Sequence, residues 1–100
     1  MQPEYLIAVD EFCARHDIEI SFISSLHQTG LIAITTIKET RFIDSGQLHQ
    51  IEKFIRLYYE MDINLEGIET IAHLLQRIIS QQDEIIALRN KLRLYEISDP

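Results

Sequence analysis

The sequence contains few of the residues that form reactive sites or covalent cross-links. Its single cysteine, Cys13, cannot form an internal disulfide, and its three glycines form no phosphate-binding loop. No nucleophile-elbow or paired-carboxylate motif is present, and no cysteine or histidine pair has the spacing of zinc ligands. We therefore expect no enzyme activity, no cofactor and no metal, and we expect Cys13 to pack in the core as a small apolar residue.

Long hydrophobic runs and targeting signals are also missing. No segment approaches the roughly 18 consecutive apolar residues that a membrane span needs. The amino terminus lacks the basic flank and apolar length of a signal peptide. With 46% hydrophobic and 25% charged residues, the composition is ordinary for a folded domain, so we expect a soluble, cytoplasmic protein without a membrane partner.

Positive charge is scarce in the first 40 residues, where six acidic side chains face only two basic ones, a local net charge of −4. Such a surface repels phosphate. Glu11, Asp17 and Glu19 are our charged candidates for a face that binds a basic partner, and Asp10 is expected to cap the first helix. The alternative is that these acids only cap helix starts and solvate the surface.

The first 30 residues predict a helix-turn-helix. Tyr5 to Ala8 is compatible with a brief strand, and a first helix is expected from Asp10 to His16. Residues 17–19 form a turn, and a second helix then ends at Gly30, which adopts a left-handed C-cap without steric cost.

The middle of the chain predicts a small wing followed by a third helix. Residues 31–36 and 41–43 are rich in β-branched or apolar side chains and favour a hairpin. Asp44 and Gln47 have the spacing of a capping box, in which Gln47 reaches back to the start of the helix. A mostly buried helix then runs through Tyr58 to Met61, and residues 62–64 break it.

The last third carries a coiled-coil pattern. A helix is expected from Leu65 to about Tyr95, and its a and d positions over four heptads form a predicted dimerisation seam: Ile71, Leu74, Ile78, Gln81, Ile85, Leu88, Leu92 and Tyr95. Gln81 is a polar interruption that fixes register. We divide the chain into a domain at residues 1–64, a long helix at 65–96 and a frayed tail at 97–100. The first half of that helix is expected to pack on the domain and the second half to form a dimerisation arm.

Several short motifs, in order along the chain, resemble the MerR-type winged helix-turn-helix, whose dimerisation arm is an antiparallel coiled coil. They are Gly30-Leu31-Ile32, Arg41-Phe42-Ile43-Asp44 and Ile63-Asn64-Leu65-Glu66-Gly67-Ile68. Within this superfamily the sequence is more similar to the CbpM family of chaperone modulators, on Glu11-Phe12-Cys13, Arg56-Leu57 with Glu60, Gly67-Ile68, and Leu88-Arg89 with Lys91-Leu92. The resemblance implies a mainly α fold with a small β wing and a long C-terminal coiled-coil helix.

The resemblance also implies a partner. CbpM-type proteins bind the J-domain of a CbpA/DnaJ-like co-chaperone and inhibit its stimulation of Hsp70 by occlusion. MerR-type DNA binders carry an Arg-Tyr pair on the second helix, where this chain has Ser24 and Ser25, so DNA is expected to be a weak ligand at most. We therefore place both serines, which are otherwise an ordinary solvent-exposed pair, with the acids at the partner site. The remaining alternatives are a MerR-like DNA-binding regulator and a coiled-coil scaffold.

Overall fold

The computed structural model describes residues 4–98, with side chains for residues 4–96, and the fold is mainly helical. Its elements in chain order are β1 (Leu6–Ala8), α1 (Val9–His16), α2 (Ile20–Gln28), β2 (Thr35–Ile37), β3 (Thr40–Asp44), a 3-10 turn (Ser45–Gln47), α3 (Leu48–Ile55), a π-helical turn (Arg56–Glu60) and α4 (Leu65–Ser98). The chain forms two compact units, one extending to Glu69 and the other beginning at Thr70.

The wing is a hairpin within a three-stranded antiparallel sheet of order β1-β3-β2, which confirms the predicted hairpin and strand. Ile7 pairs with Ile43 and Ile37 pairs with Thr40. The two residues that connect β2 to β3, Lys38 and Glu39, have left-handed φ values of 50° and 67°. This backbone matches the two-residue turn whose twist fits a hairpin, although neither residue is the glycine or asparagine that such a turn prefers.

The core of the first unit combines side chains from both helices of the helix-turn-helix, the wing, α3 and the start of α4: Val9, Phe12, Cys13, Phe22, Ile23, Leu26, Ile32, Ile43, Ile51, Phe54 and Ile68. The predicted core position of Cys13 is confirmed, because its side chain is only 2% exposed. Burial raises the pKa of the Cys13 thiol, the negative charge of Asp10 raises it further, and Arg41 partly opposes both effects.

The end of α2 follows the predicted cap chemistry. Gly30 has a left-handed φ of 82°, its N–H donates to the His27 carbonyl at 3.1 Å, and the Leu31 N–H donates to the Leu26 carbonyl at 3.0 Å. These two bonds form a Schellman motif, which satisfies carbonyls that the helix end leaves free.

Two predicted caps are wrong in part. The first helix begins at Val9, and Ala8 occupies its N-cap without a side-chain bond, so Asp10 lies in the first turn and is not the cap. Asp44 does accept from the Gly46 N–H at 3.0 Å, but Gln47 does not reach back to it. The Gln47 amide instead accepts from the Ala33 N–H at 2.7 Å and donates to the Ala33 carbonyl at 2.9 Å.

The third helix is shorter and less buried than the sequence predicted. Its α-helical part ends at Ile55, and the next five residues form the π-helical turn. Ile51 and Phe54 are buried, whereas Tyr58 is 36% and Met61 is 62% exposed. The apolar stripe assumed an α-helical period throughout, and the wider π turn changes the direction of every side chain after Ile55.

The second unit is the α-helix formed by α4 from Thr70 onwards. Seven of the eight predicted seam residues are exposed, the apolar and aromatic ones from 48% at Ile78 and Ile85 to 75% at Tyr95, and Ile71 is half-buried. No helix among residues 4–98 has the length and hydropathy needed to cross a membrane. The domain boundary at residue 65 and the packing of the first half of the helix stay predictions, and the predicted tail at 97–100 lies outside the described side chains.

Candidate partner-binding site

The turn between α1 and α2 carries two of the three predicted acidic site residues, and we call Asp17 and Glu19 the acidic turn. Asp17 ends α1 with a left-handed φ of 55°, and Glu19 immediately precedes α2. The turn is tightened by the Ile18 N–H, which donates to the Cys13 carbonyl at 3.0 Å. Both carboxylates are exposed, and that of Glu19 accepts from the Ser21 hydroxyl at 3.2 Å. The turn therefore presents two carboxylates on a fixed backbone.

Glu11, the third predicted acid, lies at a different place. Its carboxylate pairs with the Arg15 guanidinium at 3.5 Å on the exposed face of α1. It also lines a cleft of about 380 Å³ between β1, α1 and α3, together with Tyr5, Leu6, Ile7, Phe12, Arg15, His16, Leu48 and Glu52. The three predicted acids thus form two groups, and Arg15 locally neutralises one of them.

Ser24 and Ser25 are half-buried on α2, so the sequence-based description of a solvent-exposed pair is wrong. Ser24 is in contact with the wing, because the half-buried Arg41 on β3 donates from Nη1 to its hydroxyl at 3.1 Å. The wing has two cations, Lys38 and Arg41, and this bond engages Arg41. The helix α2 itself contains no lysine or arginine. The surface that reads DNA in helix-turn-helix proteins therefore offers little positive charge.

An aromatic cluster beside the acidic turn was not predicted from the sequence. Phe22 of α2 contacts Tyr58 of the π-helical turn in a tilted arrangement and Tyr59 edge to face, with ring centroids 4.6 and 5.4 Å apart, respectively. The Glu19 N–H donates to the Tyr59 hydroxyl at 3.1 Å and so joins the cluster to the acidic turn. Consecutive residues differ by about 100° around an α-helix, so a regular helix does not bring two adjacent tyrosines to one face, and the sequence periodicity gave no signal for this cluster.

The two-helix unit with its tight turn and three-stranded wing defines a winged helix-turn-helix protein, as the sequence predicted. The sequence model described as MerR HTH family regulatory protein matches residues 7–90. The chain therefore belongs to the MerR HTH family. Comparison with curated proteins and with solved structures gave no match.

The described residues also bear on metal binding. Across residues 4–98, no group of three or more histidine, cysteine or acidic side chains is arranged to hold a metal ion. No polar side-chain atom of these residues is both buried and without a hydrogen-bond partner.

Proposed function

We propose that this chain is a CbpM-type chaperone modulator, a cytoplasmic protein that binds the J-domain of a CbpA/DnaJ-like co-chaperone. By covering the J-domain surface that Hsp70 needs, it inhibits co-chaperone stimulation of Hsp70 and performs no chemistry itself. The observation that carries the proposal is the charge of the helix-turn-helix surface. Its reading helix α2 has no lysine or arginine, its wing Arg41 is bound to Ser24, and its connecting turn presents Asp17 and Glu19.

The proposed partner supplies the opposite charge. J-domains present a basic helix to Hsp70, and that helix would meet the acidic turn and the adjacent exposed part of α2, with Ser24 and Ser25 at its edge. Complementary charge of this kind accelerates association and selects the correct partner, and it contributes less to the lifetime of the complex. The interaction is therefore expected to be salt-dependent.

The arm sets the number of binding sites. The eight seam residues of α4, seven of them exposed, form a stripe with a heptad spacing, and we propose that they pair two copies into a homodimer. A dimer presents two acidic turns, so it captures two J-domains at once.

A MerR-like DNA-binding regulator is the second candidate, and the family match favours it as much as it favours a modulator. Lys38 is exposed at the tip of the wing, where winged helix proteins approach the DNA backbone. The acidic turn and the Arg41–Ser24 bond weigh against this function, because neutralised phosphates supply most of the non-specific affinity for DNA.

Binding of a purified J-domain tests the proposal directly. We expect binding with a dissociation constant at or below the order of 10 micromolar and loss of co-chaperone-stimulated Hsp70 ATPase activity. No binding at concentrations on the order of 50 micromolar refutes the modulator function. Sequence-selective, sub-micromolar DNA binding in a gel shift would replace it by the regulator.

Charge reversal at two places on the protein identifies the surface that binds the J-domain. The double substitution Asp17→Lys with Glu19→Lys is expected to slow association at low salt about tenfold or more, with little change in dissociation. Glu11→Lys with Glu52→Lys is the matched control, since it changes the net charge equally but at the cleft, where it also breaks the Glu11–Arg15 pair. Equal slowing by both pairs would mean that net charge alone steers association and that the acidic turn is not the contact.

A further inference from the structure

We infer that the exposed side chains around the aromatic cluster are the apolar centre of the partner-binding surface, and that they bind an apolar residue of a basic helix. This inference rests on the proposed function and adds to it the site and chemistry of the contact. The side chains are Ile20, Tyr58, Tyr59 and Met61, and we call them the aromatic patch. They are 40%, 36%, 40% and 62% exposed, respectively.

The π-helical turn creates this patch. Its five residues are closed by the Met61 N–H, which donates to the Arg56 carbonyl at 3.1 Å across five positions. Turns of this kind are rare, are less favourable than regular α-helix, and occur frequently at functional sites. Here the turn lets Tyr58 and Tyr59 both contact Phe22, while each keeps more than a third of its surface exposed.

The two tyrosines of the patch are held by contacts with neighbouring groups. The two tyrosine rings pack edge to face, with centroids 5.0 Å apart, and both contact the buried Phe22. The Tyr59 hydroxyl accepts the Glu19 N–H, which fixes the second ring against the start of α2. Rigid tyrosines lose little side-chain freedom on binding, and tyrosine is enriched among the residues that dominate interface energies. The patch is therefore organised for contact before a partner arrives.

The charges beside the patch determine the partner. Asp17 and Glu19 precede Ile20, and Glu60 and Asp62 flank Met61 in the chain. Arg56 pairs with the Glu60 carboxylate at 3.6 Å. The carboxylates of Asp17, Glu19 and Asp62 then make the surroundings of the patch net negative. A basic helix with an exposed apolar side chain complements both the patch and its charge. Nucleic acid is repelled by this charge, and a second copy of the chain, which has a net charge of −7, brings more acid than base.

The test compares two apolar surfaces by calorimetry and by dissociation kinetics with the J-domain. Tyr58→Ser with Met61→Ser is expected to weaken binding about tenfold or more, chiefly through faster dissociation. Tyr5→Ser with Leu6→Ser, at the cleft, is the matched control and is expected to bind as the wild type does. Met61→Ser alone is the second variant, since a side chain 62% exposed contributes little to folding.

The outcomes separate the two proposals. If both patch variants bind the J-domain with the affinity of the wild type, this inference is overturned and the modulator function stands. If the J-domain does not bind, the modulator function fails, and the patch is tested with a synthetic basic amphipathic peptide of lysine and leucine. A shift of the Met61 methyl resonance that saturates with the peptide, and that is absent in Tyr58→Ser, supports the patch. No shift, or a shift equal in both proteins, overturns it.

Discussion

Replacing Gly67 by alanine tests how closely the loop before α4 packs against the helix. Gly67 lies in the first turn of α4, where its N–H donates to the Asn64 side-chain oxygen at 2.8 Å and the Ile68 N–H donates to the Asn64 carbonyl at 2.9 Å. An added Cβ would lie 2.7 Å from Cγ2 of Ile63 and 3.1 Å from Oδ1 of Asn64. The first distance is too short for two carbon atoms, so one of the two residues must move.

The sign of the effect depends on three terms. Alanine is favoured over glycine in a helix by about 1 kcal/mol. Displacing the Asn64 cap costs about 1 kcal/mol, and overpacking at a close contact costs about 1–3 kcal/mol. Ile63 is half-buried and β-branched, so it has few alternative rotamers to relieve the contact. We expect a net destabilisation of about 2 kcal/mol, which lowers the Tm by roughly 8 to 16 °C.

Urea unfolding followed by circular dichroism measures this loss, at two protein concentrations because association would add stability. Gly46→Ala is the matched control, since its Cβ would meet only the flexible end of Glu4, at 3.2 Å from Oε1, and the Asp44 carboxylate at 3.5 Å. Ile63→Ala removes the opposing methyl group, so Gly67→Ala should be at least about 1 kcal/mol less damaging in that background. Stabilisation by Gly67→Ala in the wild type, or no coupling with Ile63→Ala, would refute the close contact.

Three further predictions concern separate parts of the chain. Gln47→Leu removes both hydrogen bonds to Ala33 and is expected to cost about 1–2 kcal/mol, measured as a lower urea midpoint. Because burial raises the pKa of Cys13, its neutral thiol stabilises the fold at low pH, and this contribution is lost as pH rises through the folded-state pKa. Between about pH 7 and about pH 10, the free energy of unfolding of the wild type should therefore fall by more than that of Cys13→Ala. Leu88→Asp in the seam is expected to yield monomers in sedimentation equilibrium, whereas Ala87→Asp, one position outside the seam, should not.

The sequence predicted those boundaries that depend on local chemistry. The end of α2 at Gln28, just before Gly30, and the start of α4 at Leu65 follow from residues that cap helices within four positions of the boundary. The bond from Gln47 to Ala33 spans 14 positions, and no local pattern distinguishes it from a capping box. The wing turn was also hidden, because Lys38 and Glu39 adopt left-handed backbone without the glycine or asparagine that normally reveals it.

The sequence indicated the charge of the candidate site but not its shape. Counting acids selected Glu11, Asp17 and Glu19, of which the last two lie exposed at the connecting turn, and their role in binding stays a prediction. The neighbour that gives this turn an apolar contact surface, Tyr59, lies 40 positions from Glu19, and their contact depends on the π-helical turn. Hydrophobic periodicity assumes a regular helix, so it assigned Tyr58 to the core and could not reveal a patch made by departing from that period.

The amount of positive charge on the helix-turn-helix surface limits what DNA binding this domain can achieve. Lys38 and Arg41 are the cations of the wing, and even if Arg41 left Ser24, each domain would neutralise about two phosphates. The logarithm of the binding constant then falls with slope about −1.8 against the logarithm of salt concentration, which is roughly a tenfold loss between 50 and 200 mM. DNA-binding proteins that make six to ten phosphate contacts lose about 10³ to 10⁵ over the same interval. We therefore expect electrostatics to contribute little affinity for DNA at this surface, which favours the proposed basic protein helix as the partner of the acidic turn.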